Sequence, residues 1–504
     1  MAADYTPGLR RAALEQDARI QVGPGTSASD RADYHGSIWR DQIDDLKVVR
    51  DLYAGTRAMI AEGEKYLPAH PKEDPDDYRR RLARAKLFNA MARTVGGFTG
   101  MVFRKSPNLQ DDVPPEIVEH AQNIDLRGQA LEVFARGVFE ETLLAGHVFI
   151  HIDAPRAADP SEVNGSLAQI AALGRRPFWR IVRKDSVINA QWDYVGGRPV
   201  LTRVVIHEQD TEADGTYGER EVDRFRELLP GGGLLWERDG DGLTLVDEWT
   251  SSVDEIPLVP VYANPSNPDF LQSVPPLMDL AWENIEHYQV RSDHRHALGF
   301  ASIPLPVFIG QARRDVEWGA NRAIFLPDPQ AKAMLLESSG ASIAESRQEL
   351  KDIELRMTAL GLQHLVQGRG VQKTAEEDRN QRTEVWSSLA AMARGLRDGL
   401  ENALQLHAKY LGLPDGGRLQ VNKDFDALSI SPQMAAQLLA MQERGVITRE
   451  TLWDVLIRGE VLPETFDPEQ EGAQLDASAM DEITRTLEVL RAREEAPAEE
   501  EADG

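Results

Sequence analysis

The chain contains no cysteine in 504 residues. That excludes disulfide frameworks, thiolate metal centres and cysteine nucleophiles together, and it fits synthesis in a reducing cytoplasm. No run of about 18 apolar residues occurs, so no transmembrane helix is expected. The N-terminus, MAADYTPGLRRAALEQDARI, has no apolar core of a signal peptide. Positive charge is also outnumbered. Lys and Arg number 56 against 83 Asp and Glu, a net charge of −27 and a pI near 4.9. A conventional nucleic-acid-binding surface neutralises phosphates with cations, and this chain as a whole does the reverse. The same acidity serves solubility.

What is present is an ordinary globular composition, 41% hydrophobic and 28% charged. The length predicts roughly two to four domains. Residues 1–37, rich in Gly, Ser and Asp, read as a loosely ordered arm, and helical patterning begins near Ile38 and runs to Tyr53. After KYLPAHPKE comes a strong start signal: Asp74 to cap, Pro75 in the first helical position, and Asp76 and Asp77 at the positive end of the dipole. The helix that follows is expected to place Leu87, Met91, Val95, Phe98 and Val102 on one face and Arg79, Arg80, Arg84 and Lys86 on a solvated one. Another helix is expected over 127–146, leading into the apolar run HVFIHI.

From 177 to 261 the texture changes to short β-branched and aromatic segments between Gly-Gly, Asp-Gly and Gly-Gly-Gly turns, the pattern of an antiparallel meander. His207-Glu208 and His151-Ile152-Asp153 lack partners at ligand spacing and read as surface histidines. A helix follows over 274–299, with Ser273 as its expected cap. His287 and His294 share a face of it, but His296 points away, so the three do not form a metal site on one helix. Residues 300–341 read as a small α/β unit. Ser342 and Glu345 form a capping box for a second helix, and Thr374 and Glu377 form one for a helix running to about Tyr410. That last helix carries Trp386, Leu389, Ala393, Leu396, Leu400 and Ala403 as a near-heptad seam. Three more helices are expected between 430 and 494, and the acidic tail EEAPAEEEADG is expected to stay unfolded.

Between those two capped helices lies GRGVQKT, Gly368 to Thr374, which at first sight suggests a phosphate-binding loop. Such a loop needs Gly immediately before its Lys and must leave a buried strand. Here Gln372 precedes Lys373, and the preceding LRMTALGLQHLV is helical in pattern. What remains is a basic connector, Gln367, Gly368, Arg369, Gly370, Val371, Gln372 and Lys373, between two capped helices of an acidic chain. No catalytic constellation, cofactor motif or metal-ligand set emerges.

Taken in order, these pieces resemble a tailed-bacteriophage portal (head-to-tail connector) protein, closest to an uncharacterised-domain family of phage portals. The stretches that carry the resemblance are YLPAHPKEDPDDYRRRLARAKLFNAMARTVGGFTGMVFRKSP, WRIVRKDSVINAQW, LVPVYANPSNPDFLQSVPPLMDLAWENIEHYQVRSDHRHALGF and KTAEEDRNQRTEVWSSLAAMA. The resemblance implies an α+β, mainly α, ring-forming fold with wing, stem, clip and crown. Its parts would be a wing over 38–273 containing the meander 177–261, stem helices over 274–299 and 342–363, and a clip over 300–341 between them. A tunnel loop over 364–373, a long wing helix over 374–411, a crown over 412–494 and a tail over 495–504 complete it. It further implies a non-enzymatic virion protein, made in the host bacterial cytoplasm, that forms a ring of twelve at one capsid vertex. Double-stranded DNA would pass through the ring without sequence-specific binding during packaging and ejection. The terminase large subunit, a head–tail connector and the major capsid protein would be its partners, with no membrane involved, and residues 367–373 would face the DNA. The alternatives are a low-order minor capsid or adaptor protein and, with less in their favour, a phage enzyme such as a nuclease or nucleotide hydrolase.

Overall fold

A computed structural model of the chain describes residues 21–22, 26–154, 176–264, 269–301, 305–309, 330, 332–336, 341–362, 375–422, 432–458, 461–462 and 466–475. The first elements are β1 (Gln21–Val22), α1 (Ser37–Ala54) and α2 (Thr56–Glu62). The start signal at Asp74 works as its chemistry dictates. Its carboxylate accepts from the Asp76 N–H at 2.8 Å, and Pro75 occupies the first position of α3 (Pro75–Arg84).

That helix does not run on to Val102, as the pattern suggests. The backbone is extended at Ala85 and a separate helix, α4 (Ala90–Val102), starts behind it. Asn89 is the reason, because its side chain caps the new helix by accepting from Ala92 N–H at 2.8 Å. Met91, Val95, Phe98 and Val102 are buried on α4 as expected, and Leu87 is buried in the connector. The break lets Arg81 turn inward. Its Nε and Nη2 each donate to Glu73 at 2.8 Å, and Nη2 also reaches the Pro68 carbonyl at 2.8 Å. β2 (Asn108–Leu109), α5 (Pro115–Ala121) and α6 (Leu131–Ala145) follow, the last ending at Gly146.

The expected meander divides between two sheets. β5 (Val187–Val195), β6 (Arg198–Asp214), β7 (Gly218–Leu229), β8 (Gly232–Asp239) and β9 (Gly242–Thr250) are neighbours in chain order, with β1 added at the β9 edge of a six-stranded sheet. β4 (Phe178–Val182) and β10 (Leu258–Tyr262) instead flank β3 (His147–Asp153) in a three-stranded sheet. The reason is β3 itself. Its apolar run is buried along six of seven positions, so it sits as a central strand with both edges paired. Alternation along β6 then builds two cores. Val204 and Ile206 join Phe149, Leu228 and Leu258, while Val205 on the other face joins Phe225, Leu234 and Trp236.

α7 (Met278–Ala301) is followed by the antiparallel pair β11 (Leu305–Ile309) and β12 (Lys332–Leu336), then by α8 (Ala341–Met357). α8 is described from Ala341, which places Ser342 within the helix. Ser273 stands five residues ahead of α7 and is used elsewhere. α9 (Ala375–Leu411) is the longest helix described, 37 residues, about 55 Å at 1.5 Å per residue. β13 (Leu419–Gln420) returns to pair with β2. The fold is thus α+β, and no helix among the described residues is long and apolar enough to cross a membrane.

Residues 424–504 form a second unit. It contains α10 (Pro432–Glu443), α11 (Arg449–Arg458) and a helical stretch at 468–475. Trp453 and Phe466 meet edge to face at 5.6 Å within it. The last expected helix, 477–493, and the acidic tail lie outside the described residues.

Candidate functional site

The basic connector singled out in the sequence, Gln367, Gly368, Arg369, Gly370, Val371, Gln372 and Lys373, lies outside the described residues, as does the Thr374 cap. Its two supports are described. α7 and α8 run antiparallel: Arg356 reaches Glu283 at 2.9 Å and Glu286 at 3.3 Å, His287 Nε2 meets Glu354 at 3.4 Å, and His294 Nδ1 meets Ser346 Oγ at 2.7 Å. Ile353 and Met357 of α8 are fully buried against Leu280 and Ala90. α8 then widens into a π-helical turn, Thr358–Leu362. Gly361 in that turn passes so close to α4 and α7 that a β-carbon there would sit 2.8 Å from Thr94 Cγ2 and 3.1 Å from Leu280 Cδ2. The chain therefore leaves the helix pair at a tightly held point.

On the far side α9 is anchored over its second half. Leu389, Ala393, Leu396, Leu400 and Ala403 are buried, as the heptad-like spacing predicts. Gly399 allows α9 to lie directly on β10, where a β-carbon would come within 2.6 Å of Val261 Cγ2. Near the end of α9, the Trp179 indole N–H donates to His407 Nδ1 at 3.1 Å. That leaves the His407 proton on Nε2, which faces His120 Nδ1 at 2.9 Å. Burial, with His120 and Arg176 nearby, lowers His407 to about 3, so it is neutral.

A third tie lies just ahead of α7. The Lys184 ammonium donates to the carbonyls of Ala145 at 3.0 Å and Ser273 at 2.7 Å, and to Ser273 Oγ at 3.2 Å. Ser273 Oγ is also 2.6 Å from His147 Nδ1. Burial pushes Lys184 down to about 8 and His147 well below the usual histidine range. This knot fixes the C-terminal end of α6 to the segment that leads into α7. It borders a cavity of about 390 Å³ lined by Tyr34, Trp39, Phe149 and Leu271. Asn284 makes the matching tie further along α7. Its oxygen accepts from Ala90 and Met91 N–H at 3.2 and 3.4 Å, and its amide donates to the Phe88 carbonyl at 2.8 Å.

A family model described as a domain of unknown function, DUF4055, matches residues 276–411. The match runs from the start of α7 to the end of α9. No curated protein matches the chain. Three solved structures to which it is similar are of gene transfer agent (GTA) particles. One is the virion of the native particle, at 13% identity and a TM-score of 0.38. The others are the neck of the empty particle with C6 symmetry, 14% and 0.40, and the neck of the native particle with C12 symmetry, 12% and 0.37. Each alignment covers 73% of this chain and 89% of the other. At these scores the likeness carries nothing further, and the chain's own geometry has to.

Three of the histidines singled out in the sequence, His207, His287 and His294, have ordinary partners. His287 and His294 are spoken for by Glu354 and Ser346, and His296 lies 6.0 Å from the ring of His70. Among the described residues no three His, Cys, Asp or Glu converge as metal ligands. His207 pairs with Asp223 at 2.9 Å. His151 corrects the surface reading: it is 2% exposed, because β3 is a central strand, and burial lowers it to about 4. The ties made by Asn284, Lys184 and His407 have faint signals in the sequence. Asn284 and His407 interrupt apolar faces, and Lys184 follows a strand in RIVRK, which places a cation beside the core.

Proposed function

We propose that this chain is a portal protein of a tailed phage or phage-like particle, a non-enzymatic ring of twelve that conducts double-stranded DNA. The observation that carries the reading is the order and pairing of elements over 278–411. Two antiparallel helices are joined by a two-stranded β unit, and a connector then leads into a helix of 37 residues. On this reading α7 and α8 are the stem, the segment between them is the clip, 364–373 is the tunnel loop and residues 38–273 are the wing. Residues 412–494 are the crown. The three ties described above hold the stem and the long helix to the wing, so that a loop hung between them is presented at a fixed place.

The charge fits a conduit. A ring of copies each carrying −27 repels phosphate over most of its surface, and DNA slides where few fixed cations hold it. Arg369 and Lys373 supply brief contacts from the loop. The terminase motor and the connector dock on the clip, and the capsid protein surrounds the wing. The test is the native mass of the purified protein with end-on particle averages. A ring of about twelve with a central hole supports the proposal; a monomer or dimer at every concentration sinks it and favours the adaptor reading.

A further inference from the structure

β6 and β7 outrun the sheet that holds them. β6 leaves its pairing with β5 after Ile206, and β7 pairs with β8 only from Arg224 onward. Beyond that point the two are paired only with each other, from Gln209↔Asp223 to Asp214↔Gly218. The result is a two-stranded ribbon, of a kind that is marginal in water without further contacts. Part of it is laced by ions: Arg224 meets Asp210 and Glu237 at 3.2 Å, and Arg220 meets Glu212 at 3.2 Å. The tip is different. Asp214, Glu219 and Glu221 have no cationic partner among the described residues, and Tyr217 between them is 98% exposed. Charges along a strand guard an open edge against aggregation, but that role does not call for a fully exposed ring at the turn.

The opposite charge is enriched in a stretch elsewhere in the chain. Residues 78–110 contain eight Lys and Arg and no Asp or Glu. In α3 and just beyond it, Arg79, Arg80, Arg84 and Lys86 are exposed. Asp76 and Asp77 offset the first two, while Arg84 and Lys86 have no carboxylate partner among the described residues.

We propose that the ribbon tip of one copy docks on the α3 face of a second copy, with Asp214, Glu219 and Glu221 against Arg84, Lys86 and their neighbours. Copies carrying −27 repel one another, so side-by-side association requires a local attraction that outweighs that field. A head-to-tail contact joins two different patches of one sequence and leaves each copy able to bind the next. This rests on the ring reading and names the surfaces that would build it.

The test uses D214K/E219K/E221K, R84E/K86E and their combination in the full chain, with native mass read over a concentration series. A neutral variant, D214N/E219Q/E221Q, and a melting curve for each protein separate lost docking from lost folding. Each reversal alone is expected to raise the concentration of half-assembly by roughly tenfold or more, and the combination to restore it to near the wild-type value. A combined variant no better than either single one overturns the docking, as does a folded reversal variant that assembles like wild type. If R84E/K86E instead keeps its mass and loses affinity for a short DNA duplex, α3 contacts phosphate and the proposal falls. A wild type that never assembles is seen before any variant is made, and sinks the ring reading itself.

Discussion

His407 and Arg81 show how buried polar side chains in this chain are kept affordable. His407 stays neutral because burial, helped by His120 and Arg176, lowers its pKa from 6.5 to about 3. The unfolded chain therefore binds a proton that the folded chain refuses between those values, and stability falls as pH drops from about 6.5 towards 3. Gln at this position keeps an oxygen to accept from Trp179 and does not titrate. The wild type is expected to lose on the order of 3 kcal/mol relative to H407Q between about pH 7 and pH 4.5, read from urea midpoints at the two values. Parallel midpoints would mean that His407 is already solvated. Arg81 and Glu73 are a different case, with side chains 3% and 5% exposed and two bonds between them. The Arg81 guanidinium holds Glu73 down at about 2. Arg81→Met strands that carboxylate and is expected to cost about 3–5 kcal/mol. If R81M and the double variant R81M/E73Q melt together near the wild type, the pair is not a buried one.

At the scale of elements the deciding contacts are close approaches. Gly399 lies in the middle of a long helix, where Ala is ordinarily better by about 1 kcal/mol. Here the added carbon meets Val261 at 2.6 Å, and overpacking of that kind costs about 1–3 kcal/mol. G399A is therefore expected to destabilise, and V261A is expected to rescue it in a double-mutant cycle, measured by denaturant unfolding. A G399A protein more stable than wild type would show that α9 stands off β10. This helix also marks what could be read from the sequence. Its length and seam were legible because Leu389 to Ala403 recur at three and four, and so were α1, α3's cap and the strands of the meander. The split between α3 and α4 was not, because apolar spacing runs on through Leu87 and only Asn89, together with a residue 195 positions away, ends it. Nor was the division of the meander, since β3, β4 and β10 meet through pairings that no local pattern records. Of the candidate site, the connector was visible as composition. The knots of Lys184, Ser273 and His147 and of His120, Trp179 and His407 left only the faint local signals of Lys184 and His407, because each joins elements far apart in the chain.

The whole molecule separates after Lys423, and the separation has consequences. β13 closes the first unit by pairing with β2, and the Asn422 amide donates to the Met101 carbonyl at 3.2 Å. In the second unit Trp453 packs on Phe466, and Arg449 lies over the Trp453 ring at 5.9 Å. A chain ending at Lys423 is expected to melt within about 2 °C of the full protein's main transition, because a self-contained core loses little when a separate domain is removed. Circular dichroism and calorimetry of the two proteins decide this; a drop of more than about 5 °C, or failure to fold, would mean that the cores are shared. The same truncation divides the portal reading into parts. If the shortened chain still assembles into a ring of the same subunit number, the contacts that build the ring lie in residues 1–423, where the ribbon and α3 both are. If it folds but stays monomeric, residues 424–504 supply those contacts, and the docking of ribbon on α3 is then too weak to hold the ring by itself.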